Sequence, residues 1–354
     1  MRRPLNFYLI LIPLLTYSIV AGAEQKTLTT PSEMQRLGQH YASIRQQVDR
    51  LIQQTRQQTS ALPALQQVAN DEALTPLQRD AVIHGYAMAL RQLRPDQVDS
   101  QTLRWLSAYT PQRWRLHEES ASYRVPVFAV DAAVAGTRNE WSFEQGRDAV
   151  RLAADSHQTR QQLNRYRSAD ASYRQGFETA MGELPAAALA QWRQSISDDR
   201  AAGHSRLGGL IQLYQHDWNG LNEWLQQAAT PTATPVLRLA LQRLSTDPNS
   251  EPLLAFTNSA LEHLNAELRG VVLAEVGETF RSHPEPPAAW QTLLRQQLAD
   301  PATGSAAALQ LAAIVDEQTL IAWRDANRDP LIESRLQLIG HLRQQQATIA
   351  GGAQ

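Results

Sequence analysis

The sequence predicts an all-α fold of stacked helical hairpins, and three observations lead to this prediction. Apolar residues recur at helical spacing along nearly the whole chain. Alternating runs of β-branched residues between hairpin turns, which are typical of sheets, are scarce. The last third of the chain contains three related segments rich in small apolar residues. We therefore expect an α-solenoid, in which neighbouring hairpins bury each other, with an irregular helical bundle as the alternative.

The start of the chain has the layout of a secretory signal peptide. Arg2 and Arg3 precede an apolar run over residues 5–20, and small residues follow up to Ala23. The apolar run is short for a membrane span. We therefore expect residues 1–23 to be a cleaved leader and the mature chain to be secreted across the inner membrane. The expected location is the periplasm, without stable membrane insertion after cleavage.

Composition limits the classes of site and partner. The chain has 354 residues, of which 33 are Lys or Arg and 35 are Asp or Glu, and none is Cys. Absence of Cys excludes disulfides, thiolate metal ligands and a lipoprotein attachment site. A nearly neutral chain without a basic run lacks the charge pattern of nucleic-acid binding. We expect one helical domain over residues 24–346 and a flexible tail over residues 347–354.

The first helices are predicted from spacing and caps. Apolar residues separated by steps of 4, 3, 4 and 3 favour one long amphipathic helix over residues 33–62; they are Leu37, Tyr41, Ile44, Val48 and Leu51. Thr75 and Pro76 have the residue types of an N-cap and a first helical position. A third helix is predicted to begin at Asp99 or Ser100.

The middle of the chain is predicted to be helical with one exception. The strand-like segment is Tyr123–Val130, and Pro126 weakens it. Further helices are expected near residues 143–154, 157–167, 169–181, 185–196, 201–215 and 218–227. Two prolines in Thr230–Pro235 predict a non-helical loop between helices, with a domain boundary as the alternative.

Three segments near the C-terminus are related to one another. They start at Asn265, Asp300 and Asp329, and each continues into small apolar residues. This pattern resembles the HEAT-like repeats of α-solenoids, in which a capping residue, then an arginine, then small residues form the second helix. Arg269 and Arg335 match the arginine position, whereas the Asp300 segment has no arginine there. The resemblance implies stacked helical hairpins in this part of the chain.

Motifs for metal, cofactor or nucleophile chemistry are weak. The sequence contains nine His residues, but none has the spacing of a zinc site. A G-x-S-x-G nucleophile elbow and a P-loop are both missing. We therefore expect no metal and no cofactor, and a non-catalytic role is favoured.

One segment suggests an enzyme as an alternative. Residues 119–126, beginning with Glu119 and Ser120, resemble the Glu-Ser segment of lytic transglycosylases. The resemblance implies that Glu119 is a general acid/base that cleaves the glycan strand of peptidoglycan. The downstream segment of that family is not matched at residues 130–136. The structural alternative is a solvated glutamate near a helix start.

Two tryptophan–arginine pairs are the predicted binding residues. Trp114 precedes Arg115, and Trp141 follows Arg138, in polar segments of the sequence. Exposed Trp beside Arg is typical of protein-binding hot spots. Packing of the indole rings is the alternative role.

Three functions follow from this sequence. The first is a protein–protein interaction scaffold or adaptor in the cell envelope, whose partner is another exported or envelope protein. The second is a peptidoglycan-cleaving enzyme that uses Glu119. The third is a periplasmic chaperone or assembly factor, suggested by the glutamine-rich segment 33–62. The oligomeric state does not follow from the sequence.

Overall fold

The computed structural model describes residues 27–153, 156–199, 203, 205–281 and 286–351. The expected leader, residues 1–23, lies outside this part of the chain. Where the structure is described, it is helical except for one two-stranded antiparallel sheet, so the all-α prediction is confirmed. The chain divides into two compact units, Met1–Trp141 and Ser142–Gln354.

Five helices and the sheet lie wholly in the first unit. The helices are α1 (Pro31–Gln39), α2 (Tyr41–Arg56), α3 (Leu62–Asn70), α4 (Pro76–Ala89) and α5 (Ser100–Ala108), and the strands are β1 (Trp114–His117) and β2 (Ser120–Pro126). Helix α6 (Val130–Arg151) follows, and the boundary between the two units falls within it.

Capping residues set the starts of α4 and α5, as the sequence predicts. The Thr75 side chain accepts a hydrogen bond from the Gln78 backbone N–H at 3.3 Å, and the Gln78 side chain accepts from the Thr75 N–H at 2.8 Å. The Asp99 carboxylate accepts from the Thr102 N–H at 2.7 Å. Each side chain satisfies a backbone donor that has no partner within the helix.

The prediction of one long helix over residues 33–62 is wrong. Helix α1 ends at Gln39, and α2 begins at Tyr41. His40 lies between them and donates from its N–H to the Leu37 carbonyl at 2.9 Å. Helix α2 ends before Gln58, which has a φ angle of 58°. The apolar spacing continues across the break at His40 because only one residue separates the two helices.

The strand prediction was misplaced. Strand β2 ends at Pro126, which is opposite Trp114, and Val127 donates to the Arg113 carbonyl at 3.0 Å. Because hydrogen bonds alternate along an antiparallel pair, the nitrogen of Pro126 faces away from β1. A proline therefore removes no bond between the strands. Strand β1, with only four residues, gave no recognisable sequence pattern.

Apolar residues of the first unit form one buried cluster. It includes Leu65, Ile83, Tyr86 and Leu90, all without solvent exposure. The Tyr86 hydroxyl lies 2.8 Å from the Thr55 hydroxyl, so its polar atom is satisfied inside the core.

The second unit contains twelve helices among the described residues. They are α7 (Ser156–Ser168), α8 (Ala171–Glu183), α9 (Ala186–Ser197), α10 (Arg206–Tyr214), α11 (Trp218–Gln227), α12 (Thr230–Ser245), α13 (Glu251–His263), α14 (Ala266–Arg281), α15 (Ala288–Gln297), α16 (Gly304–Ile314), α17 (Glu317–Ala326) and α18 (Pro330–Gly351). Helix α18 extends into the stretch for which we expected a flexible tail, and residues 352–354 lie outside the described part.

Helices of the second unit pack on the next helix but one. Helix α10 contacts α12, α12 contacts α14, α14 contacts α16, and α16 contacts α18. Among the odd-numbered helices, α11 contacts α13, and α13 contacts α15. Buried apolar residues form two clusters here, and Tyr214 packs against both. Together with the cluster of the first unit, the described core has three parts.

The prediction that Thr230–Pro235 is non-helical is wrong, because these residues begin α12. Pro231 lies in the first turn, where a backbone N–H has no partner within the helix. Pro235 lies inside the helix and removes the bond that the Pro231 carbonyl would otherwise accept. The neighbouring carbonyl, that of Thr230, accepts a hydrogen bond from the Thr234 hydroxyl at 2.9 Å.

The three related segments near the C-terminus start with capping residues, as predicted. The side chains of Asn265 and Asp329 accept from the backbone N–H groups of Leu268 at 3.0 Å and Leu331 at 2.8 Å. Asp300 accepts from the Thr303 N–H at 3.0 Å. In that segment the helix starts at Gly304, three residues after Pro301.

Both arginines of these segments contact the Asp300 segment or the residues just before it. Arg269 lies 2.5 Å from the Asp300 carboxylate. Arg335 is buried, and its guanidinium donates to the carbonyls of Leu298 and Pro301. Partial burial raises the pKa of Asp300, but hydrogen bonds from Thr303, Arg269 and Ala302 lower it to about 2.

Two glycines allow α6 and α8 to cross at backbone contact. A Cβ atom at Gly146 would overlap the Tyr173 carbonyl, and one at Gly176 would overlap the Phe143 carbonyl. Gly136 lies in the same helix as Gly146, but a Cβ atom there would have open space around it. The two glycines of α6 therefore differ in packing while they share a helical environment.

We predict opposite effects of alanine at the two positions of α6. Gly146→Ala forces α8 away and lowers the free energy of unfolding by about 1–3 kcal/mol. Gly136→Ala meets no atom and raises the free energy of unfolding by about 0.5–1 kcal/mol, because alanine favours the helix. Urea unfolding followed by circular dichroism measures both. Equal changes of the same sign would contradict the proposed close crossing.

Candidate functional site

The β-hairpin of the first unit contains two of the predicted binding residues. Trp114 is half-buried, and its indole N–H donates to the Pro111 carbonyl at 3.1 Å. Its backbone also pairs with residues near the start of the described chain: Thr29 donates to the Trp114 carbonyl at 2.8 Å, and Trp114 donates to the Thr27 carbonyl at 3.1 Å. Strand β1 is therefore held on both edges, with Trp114 as a fixed part of it.

One side of the hairpin presents aromatic and basic side chains. Arg115 is opposite Val125, so Tyr123, two residues before Val125, lies on the same side. The rings of His117 and Tyr123 are 6.0 Å apart. The exposed fraction is 63% for Tyr123, and it is 57% for the side chain of Arg115, which lies 3.2 Å from Glu118. We call Arg115, His117 and Tyr123 the hairpin face.

Glu119, the catalytic residue in the enzyme hypothesis, lies in the turn between the two strands. Its side chain is exposed, and its backbone N–H donates to His117 Nδ1 at 3.2 Å. A general acid/base for glycoside cleavage acts from apolar surroundings that favour the protonated form. The position of Glu119 in an exposed turn does not provide such surroundings.

A buried carboxylate anchors the segment that leads into the hairpin. Asp80, on α4, has no solvent exposure. It accepts hydrogen bonds from the Tyr109 hydroxyl at 2.7 Å, the Gln112 N–H at 2.9 Å and the Arg113 N–H at 3.0 Å. Burial raises the pKa of Asp80, and these three hydrogen bonds oppose the rise. Asp80 thereby fixes the backbone just before β1.

The second predicted pair lies on α6 and not on the hairpin. Arg138 is exposed, whereas Trp141 is 8% exposed and donates from its indole N–H to the Leu93 carbonyl at 2.7 Å. The burial of Trp141 and its hydrogen bond favour packing, the alternative role. The two pairs are therefore carried by separate elements of the first unit.

A groove in the second unit was not anticipated from the sequence. It has a volume of about 730 Å³ and is lined by residues from α7, α8, the start of α10 and the start of α12. We call it the arginine groove, because Arg167, Arg174 and Arg206 line it. Its residues are distant in the sequence, and the only local signal was the proline-rich start of α12, which we interpreted as a loop.

A buried glutamate orders the floor of the arginine groove. Glu178 is 9% exposed and accepts from the Tyr166 hydroxyl at 2.7 Å. Its second carboxylate oxygen lies 3.3 Å from Arg206 Nε. Burial raises the pKa of Tyr166, and the Glu178 carboxylate raises it further, so the hydroxyl stays a donor near neutral pH.

A search of the described residues for a metal site and comparisons with known proteins were both negative. Where the structure is described, no group of three or more His, Asp or Glu side chains could hold a metal ion. In the same part of the chain, no helix combines the length and apolar character needed to span a bilayer. Comparisons with family models, curated proteins and solved structures found no match.

We predict that the hairpin loses its fixed position when Asp80 is removed. Asp80→Ala leaves the N–H groups of Gln112 and Arg113 without their acceptor and lowers the free energy of unfolding by about 1–3 kcal/mol. Amide hydrogen exchange over residues 112–127 becomes faster. The matched control, Tyr109→Phe, removes one bond to the same carboxylate, and its destabilisation is about 0.5–1.5 kcal/mol. Unchanged exchange in Asp80→Ala would rule out the anchoring role.

Proposed function

We propose that this chain is a binding protein of the cell envelope that contacts another exported protein through the hairpin face. The observation that carries the proposal is the exposure of Tyr123 beside Arg115 and His117 on a hairpin fixed by Asp80. Tyrosine and arginine are the residue types enriched at protein-binding hot spots. A fixed backbone reduces the entropy lost when a partner binds.

Location in the periplasm is part of this proposal. The sequence of residues 1–23 supports secretion and cleavage after Ala23. The segment that pairs with β1 starts at Thr27. Cleavage after Ala23 therefore keeps Thr27 and Thr29, the described partners of β1, in the mature chain.

We further infer that the second unit is an α-solenoid of HEAT-like hairpins. Two observations support this: the contacts that link α10, α12, α14, α16 and α18 in series, and the Arg269–Asp300 ion pair between two of the related segments. In a solenoid, each hairpin depends on its immediate neighbours, whereas helices of a bundle share one core. A solenoid would serve the binding role as a scaffold.

We predict that a chain ending at Val315, without α17 and α18, keeps the rest of the second unit folded. Because stability in a solenoid passes only between neighbours, hydrogen exchange in α10–α12 stays as slow as in the full chain. Exchange in α16 becomes faster, because α18 no longer covers it. Hydrogen exchange with mass spectrometry measures both regions. Fast exchange throughout α10–α12 would favour the bundle instead.

We predict that the hairpin face crosslinks to a partner in cells. Replacing Tyr123 with the photo-crosslinking residue p-benzoylphenylalanine gives a discrete adduct after irradiation of cells of the native host. The matched control places the same residue at Tyr41, which is 67% exposed on α2, and gives no such adduct. Mass spectrometry identifies the partner.

Charge variants test whether the adduct depends on the hairpin face. Arg115→Glu lowers the adduct yield several-fold, whereas Arg104→Glu, which makes the same charge change at an exposed position of α5, leaves it unchanged. Equal adducts from positions 123 and 41 would contradict the proposal. An adduct between two copies of this chain would also contradict it, because the proposed partner is a different protein.

A further inference from the structure

Three arginines and one glutamate line the arginine groove. Arg206 pairs with Glu178, and Arg167 pairs with Asp199, which does not line the groove. Arg174 is exposed and forms no ion pair within the described residues, although its charge also acts on the Asp170 carboxylate. Its guanidinium, which carries five N–H donors in a planar fork, is suited to a carboxylate ligand.

Arg206 keeps donors for a ligand. Arg206 contacts Glu178 through Nε, so the ion pair leaves its two terminal nitrogens for other acceptors. Glu178 is held from the other side by the Tyr166 hydroxyl at 2.7 Å. The glutamate is therefore bound to the protein and does not need to move when an acidic ligand enters.

The start of α12 adds an apolar surface to the groove. Pro231, Thr232 and Pro235 line it. Because Pro235 has no N–H, the Pro231 carbonyl lacks its usual helical donor. The groove thus combines cationic donors with apolar rings.

We propose that the arginine groove binds an acidic segment of a polypeptide. Carboxylate side chains of the segment contact Arg174 and Arg206, and its apolar side chains pack on Pro231 and Pro235. The volume of about 730 Å³ lies in the range of ligand sites. This site is independent of the hairpin face, so it adds a second binding activity.

The prolines of the groove favour a peptide over inorganic phosphate. Pro231 and Pro235 offer apolar contact, which the side chains of a peptide use and inorganic phosphate does not.

Selection from a random heptapeptide library displayed on phage tests the proposal. The full chain, expressed with its own leader and purified, is the target, and Arg174→Glu serves for counter-selection. We expect selected peptides to be rich in Asp and Glu with apolar residues between them. Fluorescence polarisation then measures their affinity, which falls at least about tenfold in Arg174→Glu, the loss expected for one charge-assisted contact.

A matched variant separates the groove from general electrostatic attraction. Arg160→Glu makes the same change in net charge at a residue that is 67% exposed and does not line the groove, and we expect its affinity to match that of the unchanged chain. Three results would overturn the proposal. They are selected peptides without acidic enrichment, equal loss of affinity in both variants, and displacement of the peptides by inorganic phosphate at equal concentration. Circular dichroism of both variants checks that each is folded.

Discussion

Contact between short helices is the constraint on which this fold depends. Helices α10, α11 and α15 have 9, 10 and 10 residues, and isolated helices shorter than about 12–15 residues are marginal in water. Their apolar faces must therefore be covered by neighbouring helices. Contacts such as α10–α12, α11–α13 and α13–α15 provide this cover, and completely buried residues such as Leu221, Leu237 and Leu273 occur along the series.

The same constraint explains why caps and glycines matter beyond their own helix. A helix that starts one residue late loses part of the apolar face that its first turn offers to a neighbour, and it leaves backbone N–H groups without their capping acceptor. The caps at Thr75, Asp99 and Asn265 fix these starts. Gly146 and Gly176 set how closely α6 and α8 approach each other, since the two backbones touch there.

Local signals predicted the parts of the fold that are determined locally. The caps at Thr75 and Asp99 act within one turn, so a few residues of sequence reveal them. The break at His40 and the helical start of Thr230–Pro235 were missed because each involves only one or two backbone bonds. The hairpin was missed because β1 has four residues and is held by contacts distant in the sequence.

The candidate sites show the same division between local and distant information. Trp114 and Arg115 could be singled out because the surrounding sequence is polar and irregular, and they lie on the hairpin. Trp141 has a similarly polar neighbourhood, yet its indole is buried because Leu93 offers a carbonyl to it. Arg174 and Pro235, which are 61 positions apart in the sequence, line the same groove, and no local pattern links them.

Both proposed binding surfaces share one structural arrangement. In each, a tyrosine hydroxyl donates at 2.7 Å to a buried carboxylate, Tyr109 to Asp80 near the hairpin and Tyr166 to Glu178 in the arginine groove. The carboxylate is thereby fixed in the protein, and the backbone or arginine that it also contacts is fixed with it. A surface that is rigid before binding loses little conformational entropy when a partner arrives. A buried carboxylate that fixes exposed groups can therefore support binding at a surface, whereas helix faces that bury each other are not accessible to a partner.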